Sequence, residues 1–271
     1  MKILCVIILL IISVGGFCWW QNNSIVTSNY TIESGKIPSE FDDYKIVQIS
    51  DLHNKDFGDK LIEKVINVQP DAIFITGDLI DAKTPDVEFV KDFLIQLSKV
   101  APVYYTPGNH EAALGNFEEI VNQLAETGVI ILCDEKYVIT KDNSSINIIG
   151  LSDPKFTKIE QMIDTMSILS KNNDLFTILL SHRPEYFNLY AACGFDLVFS
   201  GHAHGGQFRI PFTHQGLFAP GQGCFPKYTE GMHTQDKTTL IISRGLGASS
   251  FPLRLFNRPE LVVVTLKSVD K

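Results

Sequence analysis

Cysteine is scarce and badly placed for cross-linking. Of the 5 cysteines, Cys5 and Cys18 lie in an apolar N-terminal stretch, while Cys133, Cys193 and Cys224 form an odd set with no C-x-x-C pair. That pattern excludes a disulfide framework and a cysteine-based structural zinc site. Basic residues are in the minority, 23 Lys and Arg against 31 Asp and Glu, for a formal charge of -8. A surface of that sign repels polyanions, so no nucleic-acid partner is expected. The 12 Pro and 19 Gly follow no period, and no repeat of solenoid or propeller length occurs. Hydrophobic residues at 45% and charged residues at 20% give the 271-residue chain a globular balance, enough for one large domain or two small ones. No obligate protein partner is evident.

Charge is also missing from residues 3–20, which hold a single hydroxyl, Ser13. Eighteen residues at about 1.5 Å each reach roughly 27 Å, close to the hydrocarbon thickness of a bilayer. Trp19 and Trp20 stand where an interfacial aromatic anchor belongs. Lys2 precedes the run and the next basic residue is Lys36, so the positive-inside bias places the bulk of the chain outside the cytoplasm. A cleaved signal peptide with its cut near Gly15 or Gly16 is the rival reading, although no A-x-A-like site is present. A buried core helix fits poorly, because the segment has no polar face. The expected organisation is an anchor or signal segment over 1–22, a stalk and initial strand over 23–44, and one main domain over 45–271. The expected location is the cell membrane, single-pass, with the domain extracytoplasmic, or secretion if the segment is cut.

From residue 45 the chain alternates between buried-strand and helical patterns. Residues 45–50 (KIVQIS), 71–76 (DAIFIT) and 102–106 (PVYYT) read as strands. Helical spacing follows each of them, clearest in Phe89, Val90, Phe93, Leu94 and Leu97. After Gly128 come strand-like runs at 129–133, 137–140 and 146–151, a helix near 157–170, a strand at 175–180, a helix near 184–193 and a strand at 196–199. A loop over 205–231, rich in Gly, Pro and Phe, precedes strands at 239–243 and 260–266. This is an α/β domain whose sheets are only partly parallel.

The chemistry sits where these strands stop. KIVQIS runs into Asp51-Leu52-His53, DAIFIT into Gly77-Asp78, PVYYT through Pro107 into Gly108-Asn109-His110-Glu111, LFTILLS into His182, and DLVFS into Gly201-His202-Ala203-His204. One Asp or His at a strand end is an ordinary turn former. Five such ends, holding 5 of the 7 histidines, point to the ligand-binding crevice at the carboxyl edge of an α/β sheet. Asp, His and Asn without Cys form a nitrogen and oxygen donor set suited to Mn, Fe or Zn. Seven donors exceed the needs of one ion, so two divalent ions sharing a carboxylate fit better, the usual device for displacement at phosphorus.

D-x-H, G-D-x-x-D, G-N-H-E and G-H-x-H, in this order with a separate His before the last, resemble the calcineurin-like metallophosphoesterases over residues 45–265. The runs GHAHGGQ (201–207), SRGLG (243–247) and PLRLFNRPE (252–260) are similar to a membrane-associated bacterial phosphodiesterase branch. The resemblance implies a four-layer α/β/β/α sandwich of two mixed β-sheets. It implies one metal on Asp51, His53 and His204, a second on Asn109, His182 and His202, and Asp78 as bridge. It implies His110 as the catalytic histidine and Asp81 as the residue that orients it. The implied reaction is hydrolysis of a phosphodiester or diphosphate, with a metal-bridging hydroxide attacking phosphorus. A phosphomonoesterase would use the same cluster, and a catalytically silent scaffold would be marked by a lost ligand, which is not seen.

Weaker signals surround these motifs. Arg183 adjoins His182, and Arg244 follows a strand, so both are candidate phosphate contacts through bidentate bonding. Arg254 and Arg258 read as surface residues, as do His214 and His233. The loop carrying Phe208, Phe212, Leu217, Phe218, Phe225 and Tyr228 is expected to tuck its aromatics under itself. The alternative is an apolar lip that receives a lipid-linked substrate or meets the membrane.

Overall fold

In the computed structural model, residues 2–171, 174–248 and 251–269 are described; the outer limits of the first and last expected segments lie beyond them. The elements run α1 (Lys2–Asn23), β1 (Val26–Ser34), β2 (Lys45–Ile49), α2 (Asp59–Val68), β3 (Ala72–Thr76), α3 (Val87–Ser98), β4 (Val103–Thr106) and α4 (Phe117–Ala125). They continue with β5 (Ile130–Ile131), β6 (Glu135–Lys141), β7 (Ser144–Leu151), α5 (Ile159–Leu169), β8 (Thr177–Ser181), α6 (Phe187–Ala192) and β9 (Leu197–Ser200). Two short strands, β10 (Phe218–Ala219) and β11 (Gly223–Cys224), precede β12 (Gly231–Gln235), β13 (Thr238–Ile242) and β14 (Glu260–Ser268).

The continuous apolar runs explain the layering. A strand whose successive side chains are all buried must be covered on both faces, and β3, β4, β8 and β9 are buried throughout. One six-stranded sheet has the order β1-β14-β2-β3-β4-β5, the other β12-β13-β9-β8-β7-β6. Both are mixed: β14 is antiparallel to β2 and β6 to β7, while β2, β3, β4 and β7, β8, β9 run parallel within their sheets. Ile46, Phe74 and Tyr104 from the first sheet meet Ile148, Ile178 and Phe199 from the second in a central core. Val47, Ile73 and Tyr105 point the other way, toward Leu61, Phe93 and Leu97 of α2 and α3. Ile149, Leu179 and Val198 face Met162, Met166 and Tyr190 of α5 and α6. The four-layer α/β/β/α sandwich is therefore observed.

Local signals set the helix ends. Asp86 caps α3 by accepting from the Phe89 N–H at 3.0 Å, and Val90, Phe93, Leu94 and Leu97 form its buried stripe. Each such buried side chain contributes about 1.5 to 3 kcal/mol.

Three expectations changed. The strand over 129–133 shrinks to Ile130–Ile131, because the Leu132 carbonyl accepts from the Thr106 hydroxyl and the chain leaves for the second sheet. Gly231–Gln235, which begins at the last residue of the expected loop and where no element is expected, pairs antiparallel with β13 as a half-exposed edge strand whose pattern is too weak to see in sequence. The aromatic loop does not tuck under itself. Tyr228 is buried, but Phe212, Leu217, Phe218 and Phe225 are exposed.

Candidate metal centre

Parallel pairing brings the carboxyl ends of β2, β3 and β4 to one edge, and the ends of β8 and β9 arrive from the facing sheet. Polar bonds hold the two edges together. The buried Gln48 amide donates to Thr76 Oγ1 and to the Ser200 carbonyl, both at 2.9 Å. His182 Nδ1 lies 2.7 Å from the Thr76 carbonyl. Beyond the strands the backbone turns sharply: Asp51, His53, Asp78, His202 and His204 have φ of 52, 48, 53, 63 and 46°. Left-handed backbone in non-glycine residues costs on the order of 1–3 kcal/mol each, and clusters of it mark functional sites. Cross-links offset the strain, among them Asp51 N–H to the Gly77 carbonyl and His53 N–H to the Asp78 carbonyl, each 3.0 Å. Gly77 has φ of 88°, and a Cβ there would lie 2.6 Å from His182 Nδ1, so both conformation and space require glycine.

The side chains gather into two groups that share one carboxylate. Asp51, His53, Asp78 and His204 each place a donor atom within 4.8 Å of the others, and so do Asp78, His182 and His202. Asn109 joins the second group, its Oδ1 3.2 Å from His182 Nε2. The six aspartate and histidine donors are buried. His53 Nε2 and His204 Nε2 are 3.2 Å apart, as are His182 Nε2 and His202 Nδ1. Donors about 2.0 to 2.1 Å from a common ion stand roughly 3.0 to 3.4 Å from one another, so these spacings fit a metal ion in each group. The Thr76 carbonyl fixes the outer nitrogen of His182 and leaves Nε2 facing inward, the usual outer support of a ligating histidine.

His110 and Asp81 stand beside the first group, with donor atoms within 4.8 Å of His53. Their arrangement differs from the expected pairing. The His110 ring receives the Ala82 N–H at Nδ1, 3.1 Å, which places its own proton on Nε2. Asp81 uses Oδ1 for the Lys83 N–H at 2.7 Å, and its Oδ2 faces His53 Nδ1 at 3.9 Å. The backbone of residue 82 therefore holds the His110 ring.

Burial and charge act against one another here. Burial pulls His53 down to about 4, and it also pulls His202 and His204 well below the ordinary imidazole range. These rings stay neutral, as metal ligands must be. For His182 burial also acts downward, but Asp78, Asp51 and Asp153 outweigh it and raise the ring to about 10. Asp78 is the reciprocal case, since His182, His53 and His110 overcome burial and hold it well below the carboxylate range. Burial raises Asp51 to about 6. A cation that binds His182 must displace a proton. Loading the metal-free chain with Mn at pH 7.5 is expected to release about one proton, read by calorimetry as a binding heat that follows the ionisation enthalpy of Hepes or Tris. Heats independent of the buffer would contradict this assignment.

The arginines separate. Arg183 is clamped by Asp153 at 2.6 and 3.1 Å, with Nη1 3.5 Å from His202 Nε2, so it lies at the mouth of the second group. Arg244 is turned away, bonded to Glu260 at 3.1 Å with Glu230 3.4 Å from its Nε. Arg254, read from sequence as a surface residue, is fully buried with Nη2 3.3 Å from His204 Nδ1. Asn257 donates to the His204 carbonyl at 2.7 Å. Glu111 accepts from Asp78, Ile80 and Gly108 backbone N–H groups at 2.8 to 3.0 Å. The sequence marked Glu111 only as the end of a motif and Asn257 only within PLRLFNRPE, and it gave no sign that Arg254 would pack on His204. His214 is exposed, whereas His233 is half-buried against Tyr228.

Comparison with known proteins places this geometry. The family profile described as calcineurin-like phosphoesterase matches residues 44–206. An uncharacterized metallophosphoesterase, YkuE of Bacillus subtilis, is 35% identical over 261 residues, covering 92% of this chain and 88% of that protein. Phosphodiesterase YaeI of Escherichia coli is 28% identical, covering 82% of each chain. Among solved structures, TT1561 of Thermus thermophilus superposes with a TM-score of 0.50 at 13% identity, over 75% of this chain and 90% of that one. The NAD nucleotidase of Haemophilus influenzae gives 0.50 at 17% identity, over 74% of this chain and 45% of that one. At those identities the structural likeness speaks for the fold.

Proposed function

Starting from the fact that this chain belongs to the calcineurin-like phosphoesterase family and is a metal-dependent phosphoesterase, we propose that it cleaves phosphodiester or diphosphate bonds at the outer face of a membrane. The observation that carries the reading is Asp78, a buried carboxylate common to both donor groups. Asp51, His53 and His204 would hold one divalent ion, Asn109, His182 and His202 the other, with Asp78 between them and Mn, Fe or Zn as the fitting elements. Bound there, two such ions would acidify water into a nucleophile and offset charge on the phosphoryl oxygens. The diester preference draws support from the name of the Escherichia coli relative, a phosphodiesterase, and the membrane location from α1, long and apolar enough to span.

The chain's own residues do the remaining work. His110, with Nδ1 accepting the Ala82 N–H, is a donor through Nε2 to a phosphoryl or leaving-group oxygen. Arg183, kept charged by Asp153 against the effect of burial, offers its guanidinium edge to the same phosphoryl group. Asp81 steadies His53 from the outside. His110→Ala is expected to keep both ions and lower kcat on bis-p-nitrophenyl phosphate by about 10²- to 10⁴-fold. Turnover of p-nitrophenyl phosphate should remain below that of the diester in the parent chain. Faster monoester turnover would favour the phosphomonoesterase, and no turnover by a folded, metal-loaded chain would favour the silent scaffold.

A further inference from the structure

The last turn of α1 is built into the domain. Gln21 is buried and accepts the Asn257 N–H at 3.2 Å, and Asn22 Oδ1 accepts the Arg254 N–H at 2.8 Å. The Lys55 ammonium donates to the Asn22 carbonyl. Arg258 donates to the Ser24 carbonyl at 3.0 Å and lies 4.6 Å over the Trp20 ring. The segment 254–258 that receives the helix also holds His204 through Arg254 and Asn257. One short stretch of chain thus joins the end of the apolar helix to a residue of the metal centre.

Exposed apolar side chains continue outward from this junction. Phe17 of α1 packs on Phe256 with ring centroids 5.6 Å apart. Phe17 precedes Trp20 by three residues, about 4.5 Å along the helix, so Phe256 sits at the depth of the helix's last apolar turn. Leu255 bridges to Phe208, and Phe208 packs on Phe251 at 5.3 Å. From there the loop that follows His204 presents Phe212, Leu217, Phe218 and Phe225 to solvent. Its backbone is pinned beside the metal centre by the Leu217 N–H to the Gly206 carbonyl at 3.1 Å. At the helix exit, Lys60, Lys64 and Arg258, with one acidic residue, Glu63, line a cavity of about 550 Å³ with Trp19 and Trp20. Cations next to an aromatic belt suit the phosphate layer of a bilayer.

Exposed aromatic and aliphatic side chains grouped in this way mark a contact surface, and their link to α1 through Phe256 and Phe17 selects the occupant. We propose that the face formed by residues 208–225 and 251–256 is a second membrane contact, seated in the interfacial layer of the bilayer that α1 enters, so that the metal centre lies beside lipid headgroups. The proposal rests on the reading of α1 as an anchor and narrows the substrate class to phosphoesters borne at the membrane surface. Aromatic side chains on a rigid loop partition into that layer as those of interfacial helices do.

The test uses the full chain in nanodiscs of phosphatidylcholine and phosphatidylglycerol, with and without bromine on the upper acyl chain. Phe212→Trp and, as an independent reporter, Phe225→Trp are compared with Val138→Trp, exposed on the opposite edge strand β6. The parent's Trp19 and Trp20 emission is subtracted, and circular dichroism checks each fold. The added emission at 212 and 225 is expected to fall about two-fold in brominated discs, and that at 138 to stay constant. Unquenched emission at both loop positions, or equal quenching at 138, overturns the proposal. The quenching is independent of turnover, so loss of the phosphodiesterase assignment would leave the membrane contact standing and remove only the narrowing of the substrate class.

Discussion

Asp78→Asn is expected to lower kcat on a phosphodiester by roughly 10³-fold or more, because it removes charge from both ion positions at once. The carboxylate lies 3.2 Å from His182 Nε2 and 3.8 Å from His53 Nε2, and its Oδ1 also accepts the His110 N–H at 2.8 Å. Asparagine keeps the size and that last bond, so the fold should persist while metal content falls. It also removes the main upward influence on His182, and proton release on metal loading should shrink. Kinetics with bis-p-nitrophenyl phosphate and elemental analysis of the purified variant check both parts. A variant with two bound ions and near-parental turnover would remove Asp78 from the centre of the account.

Glu111→Ala should have the largest effect on stability. The side chain is fully buried, and its carboxylate receives three backbone N–H groups from the two turns that carry Asp78 and Asn109. Burial raises it to about 7, with Asp78 adding to the effect. Alanine leaves those three donors unpaired at about 1–3 kcal/mol each, so a loss of about 3–9 kcal/mol is expected. At roughly 2–4 °C per kcal/mol for a domain of this size, Tm should drop by at least about 6 °C. Glu111→Gln, which retains one acceptor oxygen but turns an amide toward a donor, should fall between. A thermal melt of each variant decides the point, and a drop of only a degree or two would mean that solvent or a shifted backbone satisfies the donors.

The gathering of these Asp, Asn and His side chains at one edge was legible because each follows a short apolar strand, and parallel strands deliver their carboxyl ends to one edge. Asp51, Asp78, Asn109, His182, His202 and His204 needed no long-range information beyond that rule. The burial of the strands on both faces was legible for a related reason, since runs such as AIFIT and TILLS leave no exposed face, while the four layers were implied by the family resemblance. What stayed hidden depends on returns of the chain over long separations. Arg254 is polar, long and followed by a second arginine at 258, the profile of a surface residue, yet it packs on His204 from 50 positions away. Glu111 gives no sign in sequence that its partners are backbone groups at 78, 80 and 108. The His110 ring is held by the N–H of Ala82, a backbone contact that no residue type encodes. The aromatic loop misled because loops ordinarily hide such residues, whereas this one keeps them outside, beside the exit of α1.

The claim of two ions acting together is tested most directly by titrating the metal-stripped full chain with Mn while following hydrolysis of bis-p-nitrophenyl phosphate. Little turnover is expected at one equivalent and a plateau at about two, lost in Asp78→Asn. Full activity at one equivalent, or activity undiminished by chelation, would contradict the claim.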